Sequence, residues 1–317
     1  MINKKDKIFL AGHNGLVGSA IFRKLNEKGY KNIITIPRSS LDLIDQKKVF
    51  NFIKKKKPKV VIIAAAKVGG IAANNEFKAE FIYKNLSIQT NLIHSSHING
   101  VQNLLMLGSS CVYPKKSSQP IKEEFLLSGY LEKTNEPYAI AKIAGIKMCE
   151  SYNFQYKRNY KCLMPCNTFG PNDNYNLKTS HFLPALIRRI YEAKKNNKKS
   201  IKLWGTGKAK REVIYVDDIA EACIFFMNKK TNHSLINIGT EEEKTIKEYA
   251  LFIAKKLKYN FKIKFENNKI MDGTPRKILN CKIAKSYGWN RKISFEDGID
   301  MTIQNFINNY PKKYKKN

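Results

Sequence analysis

Short apolar runs alternate with longer segments of mixed polarity along the first half of the chain. The runs are KIFLAG, NIITIP, KVVIIAAA, NLLMLGSS and YKCLMPCN. The segments between them have the spacing of amphipathic helices, near 16–28, 45–55, 76–98 and 138–156. Strands that alternate with helices form successive β-α units, whose parallel sheet is buried on both faces. The pattern predicts an α/β fold of the Rossmann type, built on a doubly wound parallel sheet.

The pattern loosens after Pro165, and this change predicts a second part of the molecule. A loop rich in Gly, Asn and Pro spans 170–180, and one helix and a short strand follow it. We therefore predict a dinucleotide-binding Rossmann domain over 1–165 and a smaller C-terminal domain, mainly for substrate binding, over 166–317. The helical pattern of VDDIAEACIFFM and the apolar run LINIG predict that segments near 212–240 return to the first sheet.

Composition places the chain among globular proteins. Of its 317 residues 43% are hydrophobic, and no apolar run approaches the roughly 20 residues that cross a bilayer. The first residues, MINKKDKIFLAGHNG, lack the apolar region and cleavage site of a signal peptide. The 6 cysteines include no C-x-x-C pair, and the 5 histidines show no metal-ligand spacing. We expect a cytoplasmic protein in a reducing compartment, without a metal or a membrane partner.

The formal net charge of +32 is large enough to attract nucleic acids of any sequence. Only 8 of the 58 basic residues are Arg, however, and the lysines are dispersed among Asn and Ile along the chain. This dispersal indicates a biased composition with solvated surface charges, as in KKKK at 54–57. We therefore predict no nucleic-acid site.

A glycine-rich segment, IFLAGHNGLVGSAI, has the pattern G-x-x-G-x-x-G directly after a predicted strand and before a predicted helix. Glycines at these positions allow a tight turn, bring the backbone close to a pyrophosphate and let the helix pack on the sheet. The helix N-terminus also faces the anion. This context favours dinucleotide binding over a merely structural turn, with contacts from Gly12, His13, Asn14, Gly15, Leu16, Val17 and Gly18.

Arg38 stands after the second predicted strand, in TIPRSSLDLID, where a protein that prefers NAD places an acidic residue. A guanidinium suits the 2′-phosphate of NADP, which a carboxylate repels. We therefore predict that the chain uses NADP(H); a surface Arg without this role is the alternative. Asp42 and Asp45 follow, and either side chain is able to cap the next helix.

Tyr138 and Lys142 lie four residues apart in NEPYAIAKIAGIK, so they share one face of the predicted helix. This spacing often arises by chance, but an ammonium near a phenol stabilises the phenolate and lowers its pKa. The fourth predicted strand ends in LGSSCVYP, and the carboxyl ends of parallel strands converge on one crevice. We therefore expect Ser109, Ser110 and Cys111 to lie near the Tyr–Lys pair.

Strand-end hydroxyls, a Y-x-x-x-K helix and a glycine loop in this order resemble the extended short-chain dehydrogenase/reductase superfamily. More specific strings resemble its GDP-L-fucose synthases, namely AAAKVGGIAANN, GSSCVYPK, NEPYAIAKIAGIK, GPNDN, SHFLPALIRR and DGTPRK. The resemblance runs from about 7 to 308 and is most specific between 64 and 189. One departure is Asn14, where the family often has an Arg that contacts the cofactor phosphate. It leaves more of the selection of NADP to Arg38.

The resemblance implies an NADPH-dependent enzyme that epimerises C3 and C5 and reduces C4 of GDP-4-keto-6-deoxy-D-mannose. The family's acid and base for epimerisation correspond to Cys111 and His181, and a thiol and an imidazole both titrate within reach of neutral pH. Without the resemblance, a buried structural cysteine and a helix-capping histidine are the simpler interpretations. The resemblance further implies that Tyr138 protonates the C4 oxygen, that Ser109 hydrogen-bonds it, and that Lys142 lowers the tyrosine pKa and binds the nicotinamide ribose.

The resemblance also implies where the ligands bind. For NADP(H) it adds contacts after the fourth and fifth predicted strands, in the Tyr–Lys helix and at His181. These residues are Leu107, Gly108, Ser109, Ser110, Lys142, Pro165, Cys166, Asn167, Thr168 and His181. For the GDP-sugar it implies positive charge, a stacking surface and a hydrogen-bond acceptor from Arg189, Trp204, Arg211 and Asp272. The family is usually homodimeric, which implies a homodimer built on the helices near 76–98 and 138–156.

Two other classes of protein stay open. One is a 4-epimerase or a 4,6-dehydratase of the same fold. A dehydratase is expected to carry acidic residues after the strand-four hydroxyl, where Cys111, Val112 and Tyr113 stand. The other is a non-catalytic cofactor-sensing or nucleic-acid-binding protein, which is expected to have lost Tyr138 or Lys142.

Overall fold

The computed structural model describes residues 2–260, 262–266 and 272–313. Its strands are β1 (Ile8–Ala11), β2 (Ile33–Ile34), β3 (Val60–Ile63), β4 (Asn103–Leu107), β5 (Asn159–Pro165), β6 (Asn167–Phe169), β7 (Ser200–Leu203), β8 (Lys210–Tyr215), β9 (Leu235–Ile238), β10 (Glu243–Thr245), β11 (Lys262–Phe265) and β12 (Arg276–Lys277). Its helices are α1 (Leu16–Glu27), α2 (Gln46–Lys56), α3 (Ile71–Glu76), α4 (Lys78–Ile98), α5 (Glu136–Tyr156), α6 (Phe182–Lys195), α7 (Val216–Asn228), α8 (Ile246–Lys256), α9 (Lys282–Ser286) and α10 (Phe295–Lys313). Helices α1, α2, α4 and α5 confirm the helical segments that the hydrophobic spacing predicts.

The first sheet is parallel and has the strand order β2-β1-β3-β4-β5-β9. All residues of β1 and β3 are buried, which is why their sequences are continuous apolar runs. From β1 the chain runs to β2 on one side of the sheet and then crosses back over β1 to β3 on the other side. The direction in which strands are added therefore reverses between β1 and β3. In a doubly wound sheet such a reversal opens a crevice at the carboxyl ends of the strands. The structure confirms the predicted fold class.

The helices around the first sheet pack against one another in two groups. Helix α1 contacts α7, and α4 contacts both α2 and α5. Ion pairs join α1 and its C-cap residue to α7, between Lys28 Nζ and Glu221 Oε2 at 3.0 Å and between Arg23 and Asp217. No helix among the described residues is both long enough and apolar enough to cross a membrane.

A second, smaller sheet follows β5 in the chain. Its central strand is β8, which pairs in parallel with β6 and β12 and antiparallel with β10. Strands β7 and β11 form a separate parallel pair. Helices α6, α8 and α10 contribute buried side chains to the core around this sheet, including Leu186, Tyr249 and Phe306.

Strand β9 belongs to the first sheet although it follows β8 in the chain. It pairs with β5, with Leu163 opposite Ile236. The chain therefore leaves the first sheet after β5, returns to it for β9 and leaves again. The domain boundary at residue 165 stays a prediction.

Glu212, on β8, is a fully buried carboxylate that joins three parts of the chain. It accepts backbone N–H groups from Thr240 at 2.5 Å, from Glu241 at 2.7 Å and from Leu279 at 2.8 Å. The first two follow β9 of the first sheet, and Leu279 follows β12 of the second. Burial raises the pKa of this carboxyl to about 7, although the three N–H groups oppose the rise. Glu212 therefore ties the carboxyl end of β9 to the second sheet.

We predict that Glu212 makes the free energy of unfolding fall as the pH rises from about 4.5 to about 7. The folded state keeps a proton on this carboxyl that the unfolded chain releases above its ordinary pKa, so stability is lost as the folded pKa is crossed. Glu212→Gln carries no titrating proton, so the difference between the two proteins isolates this contribution. Urea unfolding at several pH values measures it. A difference that does not change with pH over this window contradicts the prediction.

Candidate active site

The turn between β1 and α1 has the geometry of a phosphate-binding loop. Gly12 has φ +89°, and a Cβ on it would lie 2.6 Å from the backbone N of Ala65. A Cβ on Gly18 would lie 2.0 Å from the carbonyl oxygen of Gly12, so α1 packs directly on the turn. Gly15 donates its N–H to that same oxygen at 3.1 Å and is the N-cap of α1. Only glycine fits at residues 12 and 18, because a side chain there would meet backbone atoms.

The N-terminus of α1 is open to an anion. No side chain caps the helix, so the N–H groups of Leu16 and Val17 are available to a ligand. His13 and Asn14 complete the turn, and Asn14 is exposed. The narrow glycine turn and the uncapped helix together fit the pyrophosphate of a dinucleotide.

Arg38 lies beyond β2 with 74% of its side chain exposed. Its Nη2 is 3.8 Å from Asp42 Oδ2, and an exposed pair of this kind contributes little energy. The guanidinium is therefore able to exchange this carboxylate for a phosphate. Asp45 is the acid that caps α2, since its side chain accepts the N–H of Lys48 at 3.0 Å.

The neighbouring strands β4 and β5 bring further predicted cofactor contacts to one edge of the sheet. They end at Leu107 and Pro165, and Gly108 donates its N–H to the carbonyl of Leu163 at 2.9 Å. The predicted contact residues beyond these strand ends are Gly108, Ser109, Ser110, Cys166, Asn167 and Thr168.

Ser109 and Cys111 contact each other just after β4. Ser109 precedes a short 3-10 turn over Ser110–Val112, and its Oγ lies 3.1 Å from Cys111 Sγ and 3.4 Å from the Cys111 backbone N. Burial raises the pKa of the Cys111 thiol, whereas the nearby ammonium groups of Lys277 and Lys142 favour its thiolate. Burial and the two ammonium groups therefore act on the thiol pKa in opposite directions, and burial has the larger effect.

Tyr138 and Lys142 share one face of α5, and Lys142 Nζ lies 5.9 Å from the centre of the tyrosine ring. Nζ donates to the carbonyl of Leu107 at 2.8 Å, which ties the helix to the end of β4. The expected lowering of the Tyr138 pKa is not observed: burial and the neighbouring Cys111 raise it, and a hydrogen bond with Ser109 opposes them. Burial also lowers the pKa of Lys142 to about 8. Both groups are pushed towards their uncharged forms because both are removed from water.

His181 is the N-cap residue of α6, but its side chain makes no capping hydrogen bond. The interpretation of this residue as a mere helix cap is therefore not supported. The surrounding protein disfavours the charged imidazole and lowers the pKa of His181, although part of the residue is exposed to solvent, so the ring is neutral at pH 7. In the part of the chain that the structure describes, no three His, Cys, Asp or Glu side chains form a group able to hold a metal ion.

Lys277 is a cation of this site that sequence analysis missed. It lies on β12 directly opposite Arg211 on β8, so both side chains leave the sheet on the same side. Burial lowers the pKa of Lys277, and its interaction with Cys111 opposes this effect. The buried acid Glu132 favours the charged forms of both Lys277 and Arg211. The one available signal was the position of Lys277 at the end of DGTPRK.

The predicted substrate residues form two contacting pairs. The guanidinium of Arg189 lies 4.6 Å from the ring centre of Trp204, whose side chain is 41% exposed. Arg211 Nη2 donates to the carbonyl of Asp272 at 2.5 Å. Thr206 donates to the Asp272 carboxylate from its N–H at 2.8 Å and from its hydroxyl at 2.7 Å. Because Thr206 lies two residues after Trp204, the two pairs are joined through one short segment.

Residues 8–239 match the model of the NAD dependent epimerase/dehydratase family. The chain is 49% identical over 313 residues to putative GDP-L-fucose synthase 2 of Arabidopsis thaliana, covering 99% of this chain and 95% of that protein. It is 47% identical over 314 residues to GDP-L-fucose synthase of Escherichia coli strain K12, with coverage of 96% and 98%. A solved GDP-L-fucose synthetase from Naegleria fowleri bound to NADP has a TM-score of 0.88 at 27% identity, covering 98% of this chain and 97% of that chain.

We predict that Lys277→Met raises the pKa of the Cys111 thiol further, because it removes a cation that favours the thiolate. Lys277→Arg keeps the charge and should leave the thiol nearly unchanged. Ultraviolet thiolate absorbance followed against pH gives the titration, and the same experiment on Cys111→Ser subtracts the other cysteines.

Lys115→Met is the matched control. It also removes a cation near Glu132, since Lys115 Nζ lies 2.6 Å from Glu132 Oε2, but Lys115 is not one of the main influences on the thiol. Equal shifts in Lys115→Met and Lys277→Met contradict a specific effect of Lys277 on Cys111.

Proposed function

Because the chain belongs to the NAD dependent epimerase/dehydratase family, and within it to the GDP-L-fucose synthases, we propose that it converts GDP-4-keto-6-deoxy-D-mannose into GDP-L-fucose. The conversion comprises epimerisation at C3 and C5 of the sugar and reduction at C4. The observation that carries the proposal is the contact group of Ser109, Cys111 and Tyr138 at the end of β4, where hydroxyl, thiol and phenol meet. Such a group serves both proton transfer and carbonyl reduction.

The reduction uses the phenol and the serine hydroxyl. NADPH supplies the hydride when it is bound. Tyr138 donates its proton to the C4 oxygen, and its raised pKa keeps the phenol protonated until negative charge develops on that oxygen. Ser109 stabilises the same oxygen with a hydrogen bond. Lys142, which is held by the Leu107 carbonyl, adds positive charge beside the phenol.

The epimerisation uses the thiol and the imidazole. The 4-keto group acidifies the hydrogens at C3 and C5, because the carbanion that forms is an enolate. Cys111 acts as the base in its thiolate form, which the ammonium groups of Lys142 and Lys277 favour. His181 serves the opposite face of the sugar: its neutral imidazole takes a proton from solvent and then donates it to the enolate carbon, while the Cys111 thiol returns its proton to solvent.

The GDP group is bound outside the first sheet. Arg189 and Arg211 offer planar guanidinium donors, which suit phosphate oxygens. The exposed face of Trp204 offers a stacking surface for an aromatic base. The Asp272 carboxylate is oriented by Thr206 and keeps lone pairs for a hydroxyl of the ligand.

NADP(H) is the proposed cofactor, and NADP is bound in the solved relative from Naegleria fowleri. The glycine turn with Gly12, Gly15 and Gly18 receives the pyrophosphate. Arg38, whose ion pair with Asp42 is weak, takes the 2′-phosphate. Asn14, which stands where the family often has an Arg, adds no cation of its own.

A dehydratase activity fits the same site less well. The residues after Ser110 are Cys111, Val112 and Tyr113, and none of them is an acid. Tyr113 is buried and donates its hydroxyl to Asn237 Oδ1 at 2.6 Å, so it serves the first sheet and not the crevice. Elimination of water from a sugar has no carboxyl group at this position to assist it.

We also propose a homodimer formed through α4 and α5. Apolar side chains are exposed on both helices, including Tyr83 and Ile98 on α4 and Ile140 and Phe154 on α5. Phe154 is 83% exposed, and an exposed apolar patch is typical of an interface.

Phe154→Asp should lower the mass measured by light scattering towards that of a monomer; a monomeric wild type contradicts the proposal. The cytoplasmic location expected from the sequence stays a proposal.

We predict that epimerisation and reduction are separable by mutation. Cys111→Ser should slow deuterium exchange at C3 and C5 by about 100-fold or more, because an unactivated hydroxyl is a far weaker base, while NADPH binding is kept. Tyr138→Phe should show the opposite pattern, with hydride transfer lost and exchange retained. NMR of the sugar in deuterated water, run beside NADPH consumption, follows both steps. Exchange at the wild-type rate in Cys111→Ser removes Cys111 as the base.

We predict that Arg38→Ala lowers the preference for NADPH over NADH by about 10-fold or more, because it removes the cation for the 2′-phosphate. The ratio of kcat/KM for the two cofactors measures the preference in each protein. Asp42→Ala serves as the control, since it frees Arg38 without removing it, and should keep or increase the preference. A ratio that is unchanged in Arg38→Ala assigns the selection to another residue.

A further inference from the structure

A pair of glycines lies between β3 and α3, in the stretch AAAKVGG. Gly70 is the N-cap of α3 with φ −69° and ψ −179°, a conformation that any residue adopts. A Cβ at this position would nevertheless lie 2.3 Å from the carbonyl oxygen of Ser180 and 3.2 Å from its carbonyl carbon. Glycine is therefore needed at residue 70 because two backbone segments approach closely, and not because of its own torsion angles.

The segment that approaches Gly70 is the turn immediately before His181. Gly70 donates its N–H to the carbonyl of Thr179 at 2.9 Å. On its other side the turn is closed by Asn176, whose carbonyl accepts the N–H of Thr179 at 3.1 Å and that of Ser180 at 2.8 Å. The turn before the histidine is thus held both by its own hydrogen bonds and by Gly70.

Gly70 is itself fixed by α3. The Nδ2 of Asn74, a side chain only 5% exposed, donates to the carbonyl of Gly69 at 2.7 Å and to that of Gly70 at 3.0 Å. The next residue, Ile71, also packs beside the turn at Gly273, where an added Cβ would lie 3.1 Å from Ile71 Cδ1. The start of α3 therefore meets the histidine turn and the turn next to Asp272.

The imidazole of His181 makes no capping bond to α6, so no bond of that kind holds the ring in place when the 179–181 backbone shifts. We propose that Gly70 is a positioning residue for His181: its missing side chain lets the 179–181 backbone approach the loop after β3, and Asn74 holds Gly70 in place. The catalytic part of this inference rests on the proposed function of His181 as the acid of the epimerisation.

The distance of 2.3 Å between an added Gly70 Cβ and the Ser180 carbonyl oxygen sets the size of the expected loss of rate. A normal contact at the Gly70 Cβ requires the Ser180 carbonyl to retreat by roughly 1 Å, and a displacement of this size at a catalytic group costs up to about 100-fold in rate. Gly70→Ala should therefore slow epimerisation by about 10- to 100-fold. The KM for NADPH should change less than this rate, because His181 is only one of several predicted cofactor contacts.

The readout that separates positioning from general damage is the stereochemistry of the product. Reduction depends on Tyr138 and Ser109, which Gly70 does not touch, so Gly70→Ala should release sugar that is reduced but not inverted at one or both centres. Asn74→Ala loosens the glycine without adding a group, and should change the product ratio in the same direction to a smaller extent. The matched control is Gly129→Ala, where the new methyl would lie 3.4 Å from Pro114 Cβ, an ordinary contact on an exposed loop.

A second readout needs no substrate. NMR of the imidazole resonances should show a shift for His181 in Gly70→Ala, with the remaining histidines unchanged, and no shift in Gly129→Ala. If the wild type fails to convert the GDP-sugar, the proposed function fails, while the imidazole shift still tests the positioning.

Equal loss of epimerisation and reduction in Gly70→Ala, an unchanged product ratio in both Gly70→Ala and Asn74→Ala, or an unmoved His181 resonance would each overturn the inference. If Gly70→Ala does not fold, Asn74→Ala tests the inference instead. Its ratio of inverted to non-inverted product and its His181 imidazole resonance are then the two measurements.

Discussion

The buried carboxylate of Glu212 is the interaction on which the arrangement of the site depends. It accepts N–H groups from residues 240–241 after β9 and from Leu279 after β12, while its own strand is the centre of the second sheet. The neighbouring residue, Arg211, and the nearby Lys277 reach the crevice from strands that this carboxylate holds. The contribution of the second sheet to the site therefore depends on hydrogen bonds that are removed from the chemistry itself.

Burial acts on all four titratable groups of the proposed chemistry in the same sense. It raises the pKa of Tyr138 and Cys111 and lowers that of Lys142 and His181, so each group is moved towards its uncharged form. The Tyr138 phenol is thereby kept in the protonated form that an acid needs, whereas the Cys111 thiol must lose its proton before it acts as the base. A neighbouring cation then has a large influence on the thiol, because little water screens it.

Sequence periodicity was sufficient for the parallel sheet, because its inner strands, such as β1 and β3, are buried on both faces and form continuous apolar runs. The glycine turn and the shared face of Tyr138 and Lys142 were also predictable, since both depend on local spacing. The raised pKa of Tyr138, the approach of Lys277 to Cys111 and the contact of Gly70 with Ser180 were not. Each depends on segments far apart in the chain, whose distance no local pattern encodes.

The return of the chain to the first sheet for β9 has a consequence for biosynthesis. The edge of β5 that β9 covers stays open until residues 235–238 have left the ribosome, and by then β6, β7 and β8 have already emerged. An uncovered strand edge is a template for pairing with other chains. The edge of β5 therefore lacks its native partner during the synthesis of about 70 residues, an interval in which the growing chain is open to wrong strand pairing.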